Sequence, residues 1–184
     1  MTDQPNLTVC RPADEVEVKA SWVAALTRQS PTAIVLSRQS ITSLSNHSIG
    51  QALKGGYVLE EHAQAEVTIF ATGSECSLAC EVATILNAEK ITTRVVSLMS
   101  WELFFEQSDD YQKEVIGSSR LNVSIEAQSS FGWERFIGSD GLSISVDDFG
   151  VSAPYAEVQD HIGFTSDKVT EKIKQVLSLA NAVQ

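Results

Sequence analysis

Long hydrophobic runs are missing from this chain. No apolar stretch approaches the roughly 20 residues a membrane span requires, so a bilayer-crossing helix is not expected. The opening residues MTDQPN carry neither the basic nor the apolar region of a secretory leader, and a cytoplasmic address is the expectation. Positive charge is scarce as well: 13 Lys and Arg stand against 24 Asp and Glu, a formal net charge of −11. Such a surface repels phosphate backbones and anionic lipid, which argues against nucleic-acid and membrane partners. A small anion is not excluded, because one or two well-placed cations suffice to hold it. Cysteine is sparse and odd in number, with Cys10, Cys76 and Cys80 forming no CxxC and having no histidine close in sequence. Cys76 and Cys80, four apart, amount to half a metal site at most, so all three read as small buried hydrophobes in a reducing compartment. The three histidines, His47, His62 and His161, fall in no GxSxG, HExxH or Cys-His pattern and are expected on the surface. There is also no GxGxxG and no GxxxxGK[ST].

The 184 residues are 43% hydrophobic and 20% charged, ordinary for a globular chain long enough for a real core. The organising stretch is VTIFATGSECSLACEVATIL, from Val67 to Leu86. Val67, Ile69 and Phe70 read as a buried strand, Gly73 as the sharp turn out of it, and Ser74 as the N-cap of a helix. Glu75 sets negative charge against the positive end of that helix. Leu78, Val82, Ile85 and Leu86 predict its buried stripe, and RVVSL a parallel strand after it, which completes a βαβ unit.

Before this unit, LTVCR predicts a short strand and Asp14 with Glu17 a capping-box helix start. Val16, Ala20 and Val23, extended by Trp22 and Leu26, define an apolar face on that helix. TAIVLSR then predicts a second buried parallel strand. Two strands and one helix cannot enclose a core of their own, so one apolar face of the helix is expected to lie uncovered unless this unit extends another sheet. Residues 39–65 are polar and Gly-rich, and read as a connector holding a brief YVLEE strand or turn. After the central unit the pattern predicts a short helix capped by Ser100, a helix DDYQKEVIG, strands LNVSIEA and GLSISVDDF, and two tail helices. In the last of these, Val169, Ile173, Val176, Leu177 and Ala180 hold a helical period.

The turn ATGSE has one glycine and reads as structural, not as a phosphate cradle. Asp147 and Asp148 have no partner carboxylate and read as solvent-facing or as a turn cap. Arg38 differs, since it closes an apolar strand, and carboxyl ends of parallel strands are where ligands collect. Its guanidinium offers either a fork of donors to phosphate or one half of a structural ion pair.

The runs CRPADEVE, PTAIVLSRQS, KGGYVL, IFATGSECSLA, RVVSLMSWELFFEQ, SIEAQSSFGWERFIGSDG, FGVSAP and GFTSDKV, in this order, resemble the carboxyl-terminal third of transketolase. The resemblance covers almost the whole chain. It implies an α/β fold: a three-layer α/β/α C-terminal domain with a mixed, mostly parallel sheet of about five strands, preceded by a partial pyrimidine-domain βαβ unit. By that likeness, residues 1–40 are the tail of the pyrimidine-binding domain, 41–65 a linker and 66–184 the C-terminal domain. Transketolases are homodimers that move a two-carbon ketol unit between sugar phosphates in the pentose phosphate pathway, with thiamine diphosphate and Mg²⁺. Arg38, in LSRQ, matches the arginine that holds the substrate phosphate. The diphosphate and metal motif, the activating glutamate and the sugar-contacting DGPTHQP-like stretch are not found in these residues. The implied reading is thus a portion of the enzyme that carries no catalytic, cofactor-binding or metal-binding residue and is inactive alone, with the missing amino-terminal portion or a split subunit as partner. Two other readings stand beside it. One is a non-catalytic interaction or regulatory module built on the aromatics Trp101, Phe104, Phe105, Phe131, Trp133 and Phe136, for which a core role is the competing explanation. The other is a flavodoxin-like domain that takes an anion at Gly73 to Glu75.

Overall fold

The computed structural model describes residues 4–45 and 47–182. The chain opens with β1 (Thr8–Cys10), α1 (Glu15–Thr27) and β2 (Thr32–Ile34), a βαβ unit whose two strands pair in parallel. Then come α2 (Ile49–Ala52), β3 (Tyr57–Glu60), β4 (Val67–Ala71), α3 (Glu75–Ala88), β5 (Thr93–Ser97), α4 (Trp101–Phe105), α5 (Asp109–Ile116) and β6 (Leu121–Glu126). The chain closes with α6 (Glu134–Ile137), β7 (Leu142–Ser145), α7 (Tyr155–Ile162) and α8 (Ser166–Ala182).

The larger sheet runs β3-β5-β4-β6-β7, with β3 antiparallel and the other strands parallel. Every residue of β4 and β5 is buried, as expected of central parallel strands covered on both faces. Alternation along these strands splits the core in two. Ile69 and Val95 face the layer that holds α3 and α8, whereas Phe70 and Val96 face Trp101, Phe104, Trp133 and Phe136. The result is the expected three-layer α/β/α domain.

Several local expectations need correction. Ser74 precedes α3 but caps no backbone N–H; its hydroxyl donates to Glu75 Oε1 instead, because Ser74 is already in a helical conformation. The buried stripe of α3 is Cys76, Ala79, Val82, Ala83 and Leu86, with Leu78 and Ile85 only half-buried, since the helix meets both the sheet and α8. Asp14 caps α1 as expected, its Oδ1 accepting from the N–H groups of Val16 and Glu17. The Glu17 carboxylate, however, reaches the N–H of Ala13, one residue outside the capping-box position. β2 stops at Ile34, four residues short of the predicted end. The YVLEE segment is a full strand of the larger sheet. On α8, Val169, Ile173 and Leu177 are buried and Val176 is half-buried, while the side chain of Ala180 lies outside the described residues.

The apolar face predicted for α1 is split: Ala20 is buried and Val16 half-buried, but its bulkier members are not. Its buried residues are Glu17, Ala20, Ser21 and Ala24, while Trp22, Val23 and Leu26 are exposed. Small side chains bring α1 close to the larger domain, and bulky ones are left outside. No helix among the described residues is long and apolar enough to cross a membrane.

Candidate functional site

Three polar clusters gather where β1, β2, β4 and β6 end. The first surrounds Arg38. Past Ile34 the chain keeps one bond to β1, from the Val35 N–H to the Cys10 carbonyl, and then runs free of the sheet to Arg38. The Arg38 side chain is exposed. The other five arginines each meet a carboxylate, a carbonyl or a ring; among the described residues Arg38 meets none. Beside it lies a cleft of about 350 Å³ lined by Pro12, Asp14, Glu15, Leu36, Ser37 and Gln39, among others. The Ser37 hydroxyl is buried without a partner. The two acidic groups of this wall are bonded to protein donors: Asp14 by four groups, and Glu15 by the Ser43 hydroxyl at 2.9 Å. Arg38 therefore offers a free, exposed guanidinium next to the cleft, a fork of donors suited to phosphate oxygens, while the unpaired Ser37 hydroxyl beside it is buried.

The second cluster overturns an expectation. His47 is not on the surface: its side chain is 1% exposed, and Nε2 lies 3.1 Å from Asp14 Oδ2. The ring stacks on Tyr57 at 5.7 Å between centroids. Asp14 also accepts from the Leu44 N–H, so Leu44 and His47 are both tied to the start of α1. His62 is half-buried at the other end of the sheet and His161 is exposed, as expected. Glu17 is fully buried and accepts from the Ser97 hydroxyl at 2.6 Å, the Tyr57 hydroxyl at 2.8 Å and the Ala13 N–H at 2.6 Å. Burial pushes its carboxyl up despite these donors, and burial pushes the Tyr57 phenol up as well.

The third cluster is Arg11 between Glu75 and Glu126. The guanidinium contacts Glu126 directly and lies 3.4 Å from Glu75. Burial raises both carboxyls, and the arginine only partly offsets that. Arg11 also occupies the ATGSE turn. The Gly73 N–H donates to the Arg11 carbonyl, and the guanidinium lies 3.6 Å from where a Gly73 Cβ would stand. The flavodoxin-like reading places an anion at a turn that this side chain already fills. Gly73 has φ +58°, which explains why glycine stands there.

The remaining candidates are structural. Cys10 and Cys76 are buried and Cys80 half-buried, with the Cys80 thiol pushed up to about 12 by burial, so none is a poised thiolate. Asp147 caps a turn by accepting from the Ser130 N–H and the Ser145 hydroxyl, and these bonds hold its carboxyl down at about 2. Trp101, Phe104, Trp133 and Phe136 form a core; of the six aromatics only Phe105 and Phe131 are exposed. Among the described residues no three metal-ligating side chains converge, and the Gly73 turn between β4 and α3 is filled by Arg11. These residues do not fit a metal-diphosphate group. A cation closing an apolar strand is the signal shared by Arg11 and Arg38. Sequence does not tell which is paired, because the carboxylates that pair Arg11 are 64 and 115 residues away.

A three-layer α/β/α domain preceded by a two-stranded parallel βαβ unit, with a free arginine four residues beyond its second strand, defines the class: an α/β protein with a mixed, mostly parallel sheet. Residues 55–165 match the family described as Transketolase-like TK C-terminal domain. The chain belongs to that family. It is 41% identical over 177 residues to a chloroplastic transketolase of Solanum tuberosum, an alignment covering 94% of this chain and 24% of the relative. The structure of a transketolase mutant from Pichia stipitis superposes with a TM-score of 0.92 at 32% identity, covering 98% of this chain and 26% of that one. A structure described as a split gene transketolase, inactive beta4 tetramer, shares the fold with a TM-score of 0.79 at 24% identity, over 97% of this chain and 60% of that one. The chain spans about a quarter of the length of the curated relatives it matches.

Proposed function

We propose that this chain serves as the carboxyl-terminal portion of a thiamine-diphosphate-dependent transketolase, which moves a two-carbon ketol unit between sugar phosphates in the cytoplasmic pentose phosphate pathway. In this role Arg38 grips the phosphate of the sugar, and the α/β/α domain is a scaffold that supports assembly, including a homodimer. Thiamine diphosphate and Mg²⁺ are held elsewhere in the assembled enzyme, so this chain alone does not turn over. The cofactor supplies the carbanion chemistry when bound, and the protein's part is binding and orientation.

The observation that carries the proposal is the unpaired, exposed Arg38, four residues beyond β2. A buried or salt-bridged arginine there would have argued for structure instead. In an enzyme reassembled from this chain and the remaining fold, Arg38→Ala should raise KM for a phosphorylated sugar by about 10- to 100-fold, the worth of one charge-assisted contact. It should leave KM for an unphosphorylated ketose nearly unchanged. Arg38→Lys should recover part of the loss, because a point charge replaces the fork. Equal effects on both substrates would sink the assignment. Titration of the chain alone with thiamine diphosphate and Mg²⁺ should show neither saturation nor ketol transfer.

A further inference from the structure

Arg38 lies in a segment that is fastened at its two ends and free between them. At the near end, the Val35 N–H donates to the Cys10 carbonyl. At the far end Asp14 takes hold: its Oδ2 accepts from the Leu44 N–H at 3.1 Å, and His47 Nε2 lies 3.1 Å from the same oxygen. Among the described residues no backbone-to-backbone bond holds residues 36–43. The cleft of about 350 Å³ lies between them and α1, with Asp14 and Val18 on one wall and Leu36, Gln39 and Ile41 on the other.

Two observations mark this far end as more than a helix cap. Asp14 divides its work between its oxygens. Oδ1 accepts from the N–H groups of Val16 and Glu17, which is what the start of α1 asks of a capping carboxylate, and Oδ2 remains for Leu44 and His47. The His47 ring, independently, carries more than packing needs. Its stack on Tyr57 asks only for an aromatic ring. It sends Nε2 to Asp14 and leaves Nδ1 buried without a partner among the described residues, a cost that a phenylalanine would avoid. A carboxylate only accepts, so Nε2 carries the hydrogen. The two side chains are 0% and 1% exposed, so water and salt do not screen the contact as they do a surface pair.

We propose that Asp14 and His47 are positioning residues for Arg38: they latch the far end of its segment to α1 and so hold the exposed guanidinium where the sugar phosphate is gripped. The inference rests on the reading of Arg38 above and adds what fixes that side chain in place. A segment released at one end samples many more positions, and ordering it again when substrate binds costs affinity. A latch closed before the substrate arrives removes that cost. Neither residue is asked to touch the substrate; each acts through Arg38.

The test uses the reassembled enzyme and His47→Phe, which keeps a ring on Tyr57 and removes the donor. KM for a phosphorylated sugar should rise by about 3- to 10-fold, kcat should stay within about twofold, and KM for an unphosphorylated ketose should not follow. His47→Gln returns a donor to Asp14 and should recover most of the loss. In an Arg38→Ala background His47→Phe should add nothing, because a group that acts only through Arg38 has no effect once Arg38 is gone. On the chain alone, amide exchange at Leu44 reads the latch directly and should quicken by about threefold or more in His47→Phe, while exchange in β4 stays as in the parent. Equal losses on both substrates, quickened exchange in β4, or an effect that adds to that of Arg38→Ala would show a general structural role and overturn the inference. An unchanged KM for the phosphorylated sugar would overturn it as well, and in each of these cases the reading of Arg38 stands. If Arg38→Ala itself fails to distinguish the two substrates, the reading of Arg38 fails and the inference falls with it.

Discussion

Helices α1 and α3 are close in length, 13 and 14 residues, and each follows a short strand in a parallel βαβ unit, yet they end in opposite situations. α3 lies between its sheet and α8, and buries Val82 and Leu86 among strands on a complete floor. α1 turns alanines inward onto the larger domain and holds tryptophan and leucine outside, beside a sheet of only two strands. The same supersecondary unit is finished in one case and half-built in the other. What decides it is the number of strands available to cover. A five-stranded sheet offers a floor for several helices, whereas two strands do not.

That contrast makes the largest mutational cost fall under α3. Ile69→Ala, in β4, should lower unfolding stability by about 4 kcal/mol in urea titration, because the cavity is enclosed on every side. A cost below about 1 kcal/mol would erase the distinction between the two units. Somewhat less is expected at the joint between them. Arg11→Met leaves Glu75 and Glu126 buried without a cation, at a cost of about 3 kcal/mol, and should loosen α1 and β1 together in amide exchange before the larger sheet responds.

A third effect is smaller and depends on pH. Burial raises the folded-state pKa of Glu17 above the unfolded value of about 4.3. A raised carboxyl contributes its full stability below the unfolded value and loses it as pH climbs through the folded one. Glu17→Gln should therefore match the parent near pH 4 or slightly trail it, then gain on the parent as pH rises toward neutrality. A parent that gains on the variant over that range would mean that the three donors, not burial, dominate. The smallest effect belongs to the outer face of α1. Leu26→Ala should change the stability of the isolated chain by less than about 0.5 kcal/mol, since the side chain is already in solvent. A larger loss would show that the face is covered even without a partner.

Much of this architecture was legible from local pattern. The strand, Gly73 turn and helix from Val67 onward, the Asp14 cap and the Ser100 cap all depend on residues within a few positions of one another. Arg38 stood out because it closes an apolar run, and its family match came from short motifs read in order. His47 was misread as a surface residue because its partner Asp14 lies 33 positions away. Glu17 read only as part of a cap, yet its carboxylate ties α1 to Ser97, 80 positions away, and to Tyr57.

The chain of amino acids alone determined most of the segments that become helices and strands and which family they resemble, because capping, turn geometry and periodicity are short-range effects. The folded arrangement decided which apolar face of α1 goes inward, which of two strand-ending arginines is neutralised and which stays free, and which acids lose their water. Those outcomes depend on groups brought together from distant positions, where burial and charge pairing, not local preference, set the energy.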